Sequence, residues 1–183
     1  NLETAIELQG NIALYNGYID SLDKAVVSYD TNNFEYAYKY CSEVPDNELG
    51  VLAKEGYSDV IKNILNDYKY IINDEPISAT AANYIIFTRE KGFSEPGVDV
   101  KLNLKNHLSK PVSVTVEGWV DGIPMTNISD SGHKSSWTFE LEPFDWTGGY
   151  SIYFNNVYTL SADDELNFSI EVTDYKILGW LNS

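Results

Sequence analysis

The spacing of hydrophobic residues changes once along this chain, and that change constrains the fold more than any other feature. Up to residue 72, apolar side chains recur at alternating steps of three and four; from residue 82 the step is two. A repeat near 3.5 places side chains on one stripe of a helix, and a repeat of two places them on one face of a strand. With 183 residues, 43% of them hydrophobic, the chain is long enough for one large domain or two small ones, each with a core. The expected fold is therefore α+β in two parts. An antiparallel helical bundle or hairpin over residues 1–75 precedes an immunoglobulin-like antiparallel β-sandwich over 76–183.

In the first part, Ala5, Leu8, Ile12, Tyr15, Ile19, Leu22, Val26 and Tyr29 form an a/d heptad seam. As one helix it would be about 40 Å long. Gly10 and Gly17 lie opposite the seam and each costs about 1 kcal/mol relative to alanine, so an interruption is left open. The stretch NNFEYAYKYC, residues 32–41, fits two periods. As a strand it would line up Phe34, Tyr36, Tyr38 and Tyr40. As a helix, with Asn32 and Glu35 approximating a capping box, it lines up Phe34, Ala37, Tyr38, Cys41 and Val44. Heptad-like segments on both sides favour the helix. Phe34 and Tyr38 are then expected to be buried, and Tyr36 and Tyr40 to form a more exposed pair, four residues apart, available for binding. Pro45 ends this helix, Asp46 is the expected cap of the next, and Gly56 is a possible break. A last stripe runs through Val60, Ile61, Ile64, Leu65, Tyr68, Ile71 and Ile72 to a stop at Pro76.

In the second part the alternating runs are Val98–Leu104, Val112–Val116, Trp137–Leu141, Tyr150–Phe154 and Leu166–Val172, with a more uniformly apolar strand over 84–88. Turn-like stretches over 91–97, 106–110, 123–133, 143–149 and 161–164 separate them. No Cys…Trp…Cys pattern accompanies these strands.

Charge and residue usage exclude several functions. The net charge of −16 is spread along the chain: 14 acids against 5 lysines before residue 76, and 14 against 7 bases after it. Such a field repels phosphate backbones and anionic membrane surfaces, and Arg89, the sole arginine, cannot form a multi-arginine clamp. Nucleic acid is not an expected partner. Cys41 is the only cysteine, so no internal disulfide forms; that suits the cytosol and also bacterial surface proteins that do without disulfides. No apolar run approaches the roughly 20 residues that span a bilayer, so direct membrane insertion by this segment is not expected.

Chemistry-bearing residues do not cluster. His107 and His133 lie apart in predicted loops, and neither has a second histidine at ligand spacing. Asp130, Ser131 and His133 match a triad in composition only, with no Gly-x-Ser-x-Gly turn. Asp163, Asp164 and Glu165 fit a solvated turn better than a calcium site. Gly148–Gly149 is a turn pair and no phosphate loop. Lys101 and Asn167 both point outward by alternation, which argues against an isopeptide crosslink. No catalytic residue, metal or cofactor is assigned.

Aromatic side chains are the remaining candidates. In VTVEGWVDG, residues 114–122, alternation puts Val114, Val116 and Gly118 inward and Trp119 outward, unless Gly118 marks a bulge that turns Trp119 into the core. Trp146 falls in the predicted turn FDWTGG, and Tyr153 points outward. Trp119, Trp146, Tyr153, Tyr36 and Tyr40 are therefore the candidate binding residues. The expected function is a non-enzymatic, extracellular binding or sensor domain of a bacterial surface protein, tethered to the envelope by a segment upstream of Asn1. Its partner would be a protein or carbohydrate at the cell surface. The alternatives are a carbohydrate-binding module using Trp119, Trp146 and Tyr153, and a hydrolase with a carboxylate pair.

Overall fold

The computed structural model describes residues 1–93, 96–128, 134–155 and 160–179, with the backbone alone at 146–149. The chain divides into two compact units at the Glu75–Pro76 junction. The first is helical; the second is built from two antiparallel sheets.

Helix α1, Leu2–Asp30, is unbroken across Gly10 and Gly17. Asn1 caps it, its side chain accepting from the Glu3 N–H at 3.0 Å. The seam, however, is buried only from Leu22 onward, with Ala25 and Tyr29; the first fourteen residues of the chain are exposed. Helix α2, Phe34–Ser42, starts one residue later than the capping-box reading placed it: Asn33 is the cap and Asn32 has a φ of 62°, a left-handed turn conformation. Helix α3, Glu48–Lys54, is capped by Asn47, whose side chain accepts from Gly50 N–H at 2.8 Å. Asp46 is paired with Lys54 instead, at 2.6 Å. A 3-10 turn, Glu55–Tyr57, carries Gly56, and α4 runs from Ser58 to Ile72.

Leu22, Val44 and Ala53 form the centre of this unit, with Tyr15, Tyr18, Ile19, Tyr57 and Ile61 around them. Phe34 is buried and meets Tyr29 edge-on at 6.0 Å. Tyr38 departs from expectation. It is half-buried, its ring stacked on Tyr68 of α4 at 4.0 Å, so neighbouring side chains cover it only in part. Leu65 and Ile72 are exposed, because the apolar stripe of α4 is wider than the face that its neighbours cover.

Tyr57 Oη donates to Asp23 Oδ1 at 2.5 Å and ties the 3-10 turn to α1. This hydrogen bond, then burial and the nearby carboxylate charge, push the phenol up to about 12 from 10.0. A pKa raised in the folded state contributes stability that is present below the unfolded value and is lost as pH rises through the folded one. The helical unit is therefore expected to lose stability between pH 10.0 and about 12. Tyr57→Phe should abolish that part of the pH dependence and cost about 1 kcal/mol at neutral pH, measured by denaturation followed through helical circular dichroism.

The second unit contains β1 (Ile77–Phe87), β2 (Gly97–Asn106), β3 (Val112–Val120), β4 (Ile123–Pro124), β5 (Trp137–Leu141), β6 (Trp146–Phe154) and β7 (Phe168–Ile177). One sheet has the order β1-β2-β6. In the other, β3 pairs with β7 along one edge and with β5 and β4 along the other. Every pairing is antiparallel. The alternating residues Val98, Val100, Leu102 and Leu104 of β2 and Val112, Val114 and Val116 of β3 are wholly buried. Tyr84 of β1 links the sheets: its ring lies 5.0 Å from Phe168 of β7, and its hydroxyl donates to Asp164 O and accepts from Leu166 N–H.

Three boundaries differ from the sequence reading. β1 begins at Ile77 and not at 84, because Ala79, Ala81 and Ala82 are too small to give an alternating signal. β7 runs from Phe168 to Ile177. Residues 146–149 open β6, with Trp146 opposite Lys105 and Thr147 opposite Leu104, and so lie outside the turn expected over 143–149. Asp121 and Gly122, at φ 48° and 81°, close the β3–β4 hairpin. That is the primed turn that a Asp-Gly pair favours.

Candidate functional site

The outer face of the three-stranded sheet carries a cluster of aromatic side chains. Register explains it. Phe87 pairs with Gly97, while Asp99 sits between Ile85 on β1 and Tyr153 on β6. Tyr153 alternates with the buried Ile152 and Phe154 and therefore points away from the core. Phe93, just past the 3-10 turn Arg89–Lys91, folds onto the same face. Its ring lies 4.7 Å from Phe87 at 70°, and Tyr153 lies 6.1 Å from Phe87 at 53°. Phe87, Phe93, Asp99, Ser151 and Tyr153 line an open concavity of about 400 Å³.

The sheet holds this arrangement from beneath. A Cβ on Gly97 would lie 2.7 Å from Tyr153 Oη and 2.8 Å from its Cζ, so the phenol rests directly over a backbone without a side chain. The same Cβ would meet Phe154 O at 2.5 Å. Asp99 is paired with Lys101 at 3.1 Å, which leaves a charged margin beside the rings. Phe93 is 44% exposed and Ile85 51%, so the face presents apolar surface bordered by an ion pair. Rings set at these angles form a cup. They do not form the coplanar row along which a chain of sugar rings would stack.

Of the five residues singled out from sequence, Trp119 and Tyr153 lie on the outer faces of different sheets. Tyr153 belongs to the cup. Trp119 is half-buried on the outer face of the other sheet, opposite Pro124 and Ser169. No bulge turns it: Gly118 pairs with Ile170 in unbroken register and faces inward, where an added Cβ would meet Met125 Sδ at 2.8 Å. Trp146 begins β6, and its side chain lies outside the described residues. Tyr36 and Tyr40 belong to the helical unit, with rings 6.4 Å apart and Lys39 Nζ 5.7 Å from the Tyr36 centroid. Tyr36 is 49% exposed, but Tyr40 is half-buried and lines a shallow hollow with Asp23, Lys24, Val27 and Ser28 of α1. A single groove therefore does not combine Trp119 with Tyr153.

Comparison with known proteins gives little more. No family model matches the chain, and no curated protein matches it. Among solved structures, the Salmonella enterica trimeric lipoprotein SadB is similar at 13% identity over 97% of this chain and 98% of that chain, with a TM-score of 0.28. A likeness that weak does not bear on the fold or the function of this chain.

Other groups are structural. Among the described residues no cluster of histidine, cysteine or carboxylate side chains could hold a metal ion, and no helix is long and apolar enough to cross a membrane. Burial pushes the Cys41 thiol up, which keeps it protonated and unreactive. His107 exchanges a hydrogen bond with Ser78 through Nε2, at 2.8 Å. Asp164 accepts from Ser161 N–H within its turn. Asp130, Ser131 and His133 lie outside the described residues.

Phe87, Phe93, Gly97, Asp99 and Ser151 were not among the candidates from sequence. Alternation identified outward positions on each strand but not which strand lies beside which. The pairing of Phe87 with Gly97 and of Asp99 with Tyr153 is a register fact. A glycine opening a strand, with an aromatic residue four positions before it, was the available signal.

Proposed function

We propose that this chain is a non-enzymatic binding domain of a bacterial cell-surface protein and that it grips a protein partner through the aromatic cup of Phe87, Phe93 and Tyr153. The angles between the rings carry this reading. Faces at 70° and 53° form a concave apolar surface that suits enclosing an apolar side chain, and they offer no flat platform for a sugar ring. Asp99 and Lys101 give the rim its polar contacts. The hydrolase alternative has less support, because the carboxylate lining this concavity, Asp99, is engaged by a lysine. An envelope location is compatible with the lack of an internal disulfide, as in bacterial surface proteins that do without them. The sheet unit is read as an immunoglobulin-like sandwich. β2 lies between β1 and β6 as strand B lies between A and E, and β3 pairs with β7 as C pairs with F.

The test is a panel of displayed peptides alongside an array of bacterial polysaccharides, both probed with the full chain. Peptides with an aliphatic or aromatic anchor should be selected. Phe93→Ala should weaken them about tenfold, with little change in stability because the ring is exposed. Tyr153→Ala should weaken them as well, by removing another ring of the cup. Selection of polysaccharides alone would transfer the site to the carbohydrate reading. Peptide binding insensitive to both variants would place the site elsewhere.

A further inference from the structure

Half of α1 has an apolar face and no neighbour. Residues 1–14 are all exposed, among them Leu2 at 76%, Ile6 and Leu8 at 60% and Ile12 at 52%. At about 100° per residue, Leu2, Ala5, Ile6, Leu8, Ile12 and Ala13 fall on one side of the helix, which also carries Gln9, while Leu14, 51% exposed, lies on the other side. The charges in the first nineteen residues are Glu3 and Glu7, and both lie on the opposite side. A solitary helix in water gains nothing from such an arrangement; stability comes from covering the apolar face.

We infer that the exposed half of α1 associates with the same segment in further copies of this chain, as a parallel coiled coil. Three observations favour a second copy over another occupant. The a/d repeat that packs inside the helical unit at Tyr15, Ile19 and Leu22 continues without a phase break through Ile12, Leu8 and Ala5. The exposed seam thus extends an interface that already works within the unit, and a matching heptad partner is guaranteed in an identical chain. The flanking e and g positions are Thr4, Gln9, Asn11 and Asn16, all uncharged. Copies of a chain with net charge −16 can therefore meet here without bringing like charges together. The third observation is negative for the competing occupant: this helix segment holds no lysine or arginine, which a helix lying on an anionic membrane surface uses. Isoleucine at the a position Ile12 with leucine at the d position Leu8 is the combination that favours two strands in a parallel coiled coil. The free seam covers about two heptads, so association is concentration-dependent and is strengthened when copies are held on one surface. This inference is independent of the aromatic cup.

Sedimentation of the full chain from micromolar to millimolar concentration tests it. A mass above the monomer should appear as concentration rises. The double variant Leu8→Asp, Ile12→Asp should remain monomeric while the helical unit still unfolds cooperatively, since neither side chain packs within the fold. Glu3→Gln on the far face should leave association intact. A cysteine at position 5, Ala5→Cys, should form a disulfide between copies under mild oxidation, as only a parallel, in-register pair permits. A wild-type chain that stays monomeric throughout, association that survives the double variant, or binding to neutral phosphatidylcholine vesicles in place of self-association would each overturn the proposal.

Discussion

Replacing Asn106 with alanine is expected to destabilise the sheet unit by about 4 kcal/mol. Asn106 is wholly buried at the end of β2. Its Nδ2 donates to Lys110 O at 2.8 Å and to Glu142 O at 3.0 Å, and its Oδ1 accepts from Leu108 N–H at 3.0 Å. Its own N–H donates to Asp145 O at 2.8 Å. One side chain thus holds the β2–β3 connection against the β5–β6 turn. Truncation takes this partner from the Lys110 carbonyl and the Leu108 N–H, both on buried residues, and from the Glu142 carbonyl, which it meets in a part-buried bond, and each buried group left unpaired costs about 1–3 kcal/mol. The same turn contains Phe144 at φ 56°, a backbone conformation unfavourable for an aromatic residue. Phe144 N–H donates to Leu108 O and its carbonyl accepts from Lys105 Nζ, so loss of Asn106 also weakens the contacts that hold that turn. All four tryptophans lie after residue 76. Denaturation followed by tryptophan fluorescence therefore reports this unit alone. Asn106→Asp, which turns a carboxyl oxygen toward both carbonyls in a buried site, should be at least as damaging as alanine if hydrogen bonding is the cause. Equal stability of all three proteins would refute the argument.

Gly50→Ala is expected to cost the helical unit about 3 kcal/mol, although alanine is the better helix former. Gly50 is buried in α3, and its missing side chain faces the backbone at Pro45. A Cβ there would fall inside the carbonyl oxygen of Pro45 and 2.9 Å from its carbonyl carbon. Backbone cannot rotate aside as a side-chain end can, so α3 must move away, and Ala53 would leave its contact with Leu22 and Val44. Gly10→Ala is the control with the opposite sign. Nothing lies within 4 Å of that position, so the substitution should stabilise α1 by up to about 1 kcal/mol. Helical circular dichroism during denaturation reads both. If the two substitutions shift stability in the same direction, close approach at Pro45 is not what selects Gly50.

Local periodicity determined much of this protein. Helices before Pro76 and antiparallel strands after it follow from which residues share a face, because the two periods of 3.6 and 2 differ enough to be distinguished without any partner. The inward sets of β2 and β3 and the stripe of α2 through Phe34, Ala37 and Cys41 are of this kind. Trp119 also points as alternation placed it, outward, with Gly118 inward. Caps were less legible. Asn32 and Asn33 are chemically equivalent in sequence, and only the φ of 62° at Asn32 selects its neighbour.

Tertiary structure decided everything that depends on who sits beside whom. The heptad seam of α1 is chemically continuous from Ala5 to Tyr29, yet only its second half is buried, because the helices that cover it are too few and too short to reach the first. Tyr38 and Tyr40 are both half-buried because α4 and α1 each approach α2 at one particular place. The aromatic cup arises where Phe87, Phe93 and Tyr153, separated by up to 66 positions, are brought together by strand register over Gly97. A sequence fixes which face of each element is apolar through local geometry, but register and helix contact depend on the packing of residues far apart in the chain, and no periodicity carries that information.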